Sequence, residues 1–236
     1  MRLRQEPVQE LRKDFSNLAE IDLIELKKAL ADPTTHEVIL KRLNEEMVRI
    51  GESGNGVELN EITVPIKQEK GECQTWTIVN GILARGGHAK LGTTSEQRRT
   101  FVHQVREYVK NLDHQGMTGV THYDGTHLNA DAEFSMLTIA DALQKFGISI
   151  RRLSADHNPI LLVRELFKEK RFLGVAKDES WHATTIVPLA NADLEQFVVE
   201  LDSYTASKKI LSLQEFLELI LDRKVADRFE IFEINS

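Results

Sequence analysis

The sequence predicts an α+β fold. Three observations carry this. Apolar residues recur at helical spacing through residues 7–50. A turn-forming Ala190-Asn-Ala-Asp193 late in the chain is flanked by segments rich in β-branched residues. Helices come early and antiparallel strand signals come late, without the alternation of a doubly wound sheet. With 236 residues and 41% hydrophobic composition, the chain can bury a sizeable core.

The elements follow in order. Val8, Leu11, Phe15 and Leu18 mark a first helical stripe, and Leu23, Ile24, Leu26 and Leu30 a second. Asp32-Pro-Thr-Thr35 reads as a turn and helix start, and Val38, Leu40, Leu43 and Met47 form a third stripe. Gly51-Glu-Ser-Gly-Asn-Gly56 reads as a linker, which divides a helical N-terminal extension, residues 1–58, from a main domain, 59–236. Ile62–Ile66 is extended. A helix is expected from Cys73 to about Ala84, stopped by Gly86-Gly87. Thr94-Ser-Glu-Gln97 is a capping box for a helix to about Leu112. Residues 113–130 read as a loop and 131–146 as a helix. Strand, helix and strand follow at 148–153, 160–170 and 171–177. The late hairpin pairs Trp181–Pro188 with Glu195–Asp202. Ser212-Leu-Gln-Glu215 is a second capping box, and Phe229–Ile234 the last strand.

Composition narrows the function. A net charge of −7 argues against unspecific nucleic-acid binding. No uncharged apolar run reaches the ~18 residues of a membrane span. Met1–Glu6 has no apolar stretch behind its charges, so no secretory signal is expected. The single cysteine, Cys73, excludes an intramolecular disulfide and a multi-cysteine metal site. A cytoplasmic, reducing location and no cofactor are the expectations. His114, His122, Asp124, His127 and Asp131 crowd one segment. Their spacing fits no metal template, so we read a solvated polar loop edging a cleft.

Cys73 opens its helix, where the positive helix end favours thiolate. Gly71 removes bulk where a substrate backbone would approach, and Gln68 carries an amide that suits an oxyanion. Position alone also fits a small buried hydrophobe. The hairpin adds the rest. A turn centred near residue 192 opposes His182 to Asp202, Thr184 to Glu200 and Ile186 to Val198, with residues 183, 185, 187, 197, 199 and 201 on the other face, apolar but for Thr185. A carboxylate facing an imidazole fixes its tautomer. A helix-leading Cys, an upstream Gln and a His opposite an Asp are the parts of a cysteine hydrolase.

The same residues carry a family resemblance. Lys67-Gln-Glu-Lys-Gly-Glu-Cys73-Gln-Thr-Trp-Thr-Ile-Val-Asn80 resembles the catalytic-helix segment of the Josephin family of papain-like deubiquitinases. Glu133–Ile150 is similar to the helix and strand before the family's catalytic His, Ser180–Val187 to its His-bearing strand, and Phe197–Ser203 to the strand of its third residue. The resemblance covers about 60–236. Asp202 stands where the best-known Josephins have Asn, and Ala183 where they often have Trp. The segment 87–130, which helps form the ubiquitin surface in Josephins, matches poorly.

The resemblance implies a papain-like fold with its catalytic helix packed on an antiparallel sheet. It implies Cys73 as nucleophile, His182 as base, Asp202 as third member and Gln68 as oxyanion donor. The implied activity is cleavage after the C-terminal glycine of ubiquitin or a ubiquitin-like protein. Glu72, Glu200 and Trp181, with Gly71, are the expected substrate-binding residues, because an acidic, narrow cleft suits a basic tail ending in two glycines. Two other readings use the same residues: a papain-like deamidase or transglutaminase, and a catalytically silent ubiquitin-binding module. A bacterial effector acting in a host cytosol is one source that fits an N-terminal region without a counterpart in the family.

Overall fold

The computed structural model describes residues 17–69, 71–114, 136–153, 158–177, 182–221 and 229–235. Helices α1 (Leu23–Ala31), α2 (His36–Ser53), α3 (Cys73–Ala84), α4 (Ser95–His114) and α5 (Met136–Leu143) come first. They are followed by β1 (Ile150–Leu153), α6 (Pro159–Leu166), β2 (Arg171–Lys177), β3 (His182–Pro188), β4 (Val198–Asp202), β5 (Ser207–Leu211), α7 (Leu213–Leu221) and β6 (Phe229–Ile234). The strands form one antiparallel six-stranded sheet in the order β1-β6-β2-β3-β4-β5. The α+β expectation holds.

Local chemistry sets the helix ends. Asp22 caps α1 by accepting from Glu25 N at 2.8 Å. Both capping boxes close. Thr94 Oγ1 accepts from Gln97 N while Gln97 Oε1 accepts from Thr94 N, and Ser212 and Glu215 repeat the exchange at α7. Arg85 ties off α3, donating to Asn55 O and Lys168 O at 2.6 Å each. Burial lowers its pKa to about 10, still well above neutrality.

Both faces of the sheet are covered. Leu173, Val175, Ile186, Val198, Phe229 and Ile231 pack with Ile39, Leu43 and Met47 of α2 and Phe216 of α7. On the other face Phe172 and Phe232 pack with Trp76, Ile78, Val79 and Ile82 of α3 and Ile139 of α5. The N-terminal helices therefore share the main core. Asn158 fastens them, donating to Leu18 O and Ile21 O at 2.9 and 2.6 Å while it caps α6 through Ile160 N.

Several expectations are corrected. The α2 helix runs through the predicted linker to Ser53, with Gly51 buried. Its inward stripe is Ile39, Leu43, Met47 and Gly51, whereas Val38 is exposed. The helix at 160–170 ends at Leu166, and β4 begins at Val198 rather than Glu195. Strand β5 was not expected at all. Its Ser207-Lys-Lys sequence is solvated edge rather than apolar run. On β3, Thr184 and Ile186 are buried like Ala183 and Thr185, so both faces of the strand are covered. Residues 1–16 and 115–135, including His122, Asp124, His127 and Asp131, lie outside the described residues.

Candidate functional site

The β3–β4 register differs from the expected one by two residues. Ile186 lies opposite Glu200 and Thr185 opposite Leu201. The loop is longer than assumed because Asp193 Oδ1 accepts from Glu195 N and Gln196 N, both at 2.8 Å. An even shift keeps every side chain on its face. His182 and Asp202 thus remain same-face neighbours on a diagonal, and His182 Nε2 meets Asp202 Oδ1 at 2.9 Å. Thr184 Oγ1 donates to Glu200 Oε1 at 2.9 Å along the same diagonal.

The Asp202 carboxylate is well held. Burial pushes its pKa up. The Thr205 hydroxyl, His182 and the Tyr204 and Thr205 backbone N–H groups pull it down further, so it lies below the ordinary carboxylate value. Tyr204 N and Thr205 Oγ1 donate at 2.8 and 2.9 Å. Exposed Tyr204 stands edge-on to the imidazole, ring centroids 5.5 Å apart. Tyr204 and Thr205 were missed from sequence. The signal was Asp202-Ser-Tyr-Thr205, an Asx-turn pattern.

Helix α3 comes to the same end of the sheet. Thr185 Oγ1 donates to Thr77 O at 2.6 Å, and Gly81 lies on Phe172 beside Leu173, which pairs with Ile186. The helix therefore runs in the direction of β3. One turn back from Thr77, a rise of ~5.4 Å against ~3.3 Å per strand residue, brings Cys73 to the level of Ala183. The approach segment is pinned there as well. Gln68 N donates to Ser203 O at 2.8 Å, and Asn80 Nδ2 to Ser203 Oγ at 2.8 Å. Residues Gln68, Cys73, His182 and Asp202 so occupy one end of the sheet. His182 and Asp202 sit on the strand face that alternates with the one beneath α3.

Cys73 is buried, and its Sγ donates to Gln74 Oε1 at 3.0 Å. Gly71 has φ +74, a left-handed conformation that favours glycine just before the helix. Gln68 Oε1 is buried with no partner among the described residues. Glu72 and Glu200 are both buried within polar networks, with 3% and 8% of each exposed. Trp76 is core, and Trp181 lies outside the described residues.

Glu69, Glu72 and His103 place ligand atoms within 4.8 Å of one another. Arg106 Nη1 stands 3.7 Å from Glu72 Oε1, so a guanidinium already supplies the counter-charge there. A cavity of about 650 Å³ lies along α2, between Leu40, Val48 and Leu194. Leu194 belongs to the β3–β4 loop, at the end of the sheet opposite His182. No described helix is long and apolar enough to cross a membrane. No family model matches the chain, and no curated protein matches it significantly.

Proposed function

We propose that the chain is a papain-like cysteine hydrolase of Josephin type that cleaves after the C-terminal glycine of ubiquitin or a ubiquitin-like protein. The observation that supports this most is the 2.9 Å bond from His182 Nε2 to Asp202 Oδ1, at the end of the sheet where Cys73 opens α3. With Nε2 held by the carboxylate, Nδ1 is the ring nitrogen that exchanges a proton with the thiol. Cys73 Sγ attacks the carbonyl carbon, and Gln68 and the Cys73 N–H stabilise the oxyanion. The C–N bond breaks, and the amine leaves with the proton that His182 took from sulfur. Water then adds to the thioester, the C–S bond breaks, and thiol and free carboxylate are restored. No cofactor is required.

The test is a ubiquitin probe bearing a C-terminal electrophile, applied to wild type, Cys73→Ala and His182→Ala. A covalent adduct with wild type alone supports the reading. No adduct, with Cys73 still alkylated quickly by a small reagent, removes ubiquitin as substrate. Slow alkylation as well removes the nucleophile. Ammonia release from a protein glutamine instead favours the deamidase reading. Alkylation unchanged in His182→Ala favours a silent binding module.

A further inference from the structure

Glu72 directly precedes Cys73, and its carboxylate is 4% exposed. Its Oε2 accepts from Glu69 N and Trp76 Nε1, each at 3.0 Å. Its Oε1 faces Arg106 Nη1 at 3.7 Å and His103 Nδ1 at 4.0 Å. The Arg106 side chain is 6% exposed, and His103 also faces the exposed Glu69 at 3.8 Å. A buried carboxylate one residue before a cysteine resists thiolate formation, because two anions close together in low dielectric repel. The helix end alone has to overcome that repulsion unless a cation cancels it.

We infer that Arg106, reaching from α4, is a positioning residue for the candidate nucleophile: it neutralises Glu72, so that Cys73 keeps the thiolate-favouring field of the α3 N-terminus. This rests on reading Cys73 as the nucleophile. Glu72 meanwhile locks the turn before the helix through Trp76 and the Glu69 N–H. The charged groups at this corner are Glu69 and Glu72 on the approach segment, His103 and Arg106 on α4, and His182 and Asp202 at the sheet end.

The chain has one cysteine, so its ultraviolet thiolate absorbance reports Cys73 alone, with Cys73→Ser as the blank. We expect Arg106→Gln to raise the ionisation midpoint by about one unit, which is about tenfold less thiolate below it. Glu72→Gln should lower the midpoint, because it removes the negative charge and keeps the positive charge of Arg106. The double variant should return near wild type. Opposite shifts distinguish charge from damage, which moves both variants toward the ordinary thiol value. If Arg106→Gln does not fold, the downward shift of Glu72→Gln and its reversal in the double variant carry the test. An unchanged midpoint in folded Arg106→Gln, or shifts of the same sign in both single variants, overturns the inference. Opposite shifts around a wild-type midpoint at the ordinary thiol value keep the charge compensation and overturn the nucleophile reading instead.

Discussion

Gly81→Ala tests how the cysteine-bearing helix is seated. Gly81 lies on the sheet side of α3, and a Cβ there would stand 2.2, 2.4 and 2.5 Å from three Phe172 ring carbons. Phe172 is fully buried and stacked on Phe232 with centroids 5.5 Å apart, so its ring has nowhere to retreat. In a free helix alanine is better than glycine by about 1 kcal/mol. Overpacking a closed core costs about 1–3 kcal/mol, and contacts this short place the cost at the top of that range. The net expectation is a loss of about 2 kcal/mol, or about 4–8 °C in Tm for a domain of this size. Thermal and urea denaturation measure it. Gly51→Ala is the internal comparison. Its Cβ would meet Ala192 Cβ at 2.9 Å and Phe197 Cε2 at 3.3 Å, so a smaller loss is expected. A Gly81→Ala protein as stable as wild type, or more stable, would show that α3 does not rest on Phe172 and would remove the basis for placing Cys73 level with Ala183.

Four further outcomes are expected. Asn158→Asp turns a carboxylate toward the Leu18 and Ile21 carbonyls and should cost about 2–3 kcal/mol by urea denaturation, more than Asn158→Ser, which keeps the cap. Thr185→Val removes the bond to Thr77 O and should cost about 1–2 kcal/mol in the same assay. The folded-state pKa of Asp202 is depressed, so its stabilising contribution is present above the unfolded value near ~3.9 and is lost as pH falls through the lower folded value. Asp202→Asn should flatten that acid limb of the stability profile, and an unchanged limb would count against the carboxylate. Burial raises the Glu230 pKa against the pull of Arg152, which stands 3.2 Å away. Its contribution is therefore full below the unfolded value near ~4.3 and lost as pH rises through the higher folded value. The stability of Glu230→Gln relative to wild type should accordingly rise between those two values, followed as Tm against pH.

The sequence by itself determined the features written in short-range patterns. Thr94–Gln97 and Ser212–Glu215 form their capping boxes because both partners lie within one helical turn. Cys73 opens a helix because Gly71 supplies the left-handed turn before an apolar run. His182 and Asp202 share a face because strand alternation depends only on parity, and the two-residue register error preserved it. The tertiary structure decided what depends on partners distant in the chain. The register was set by how Asp193 folds the loop, and β5 by its pairing with β4 rather than by apolar alternation. Glu72 looked like a cleft carboxylate from its neighbours alone. Trp76, one turn on, and Arg106, on another helix, made it a buried counter-ion, because desolvating a charge requires a partner that no local pattern names.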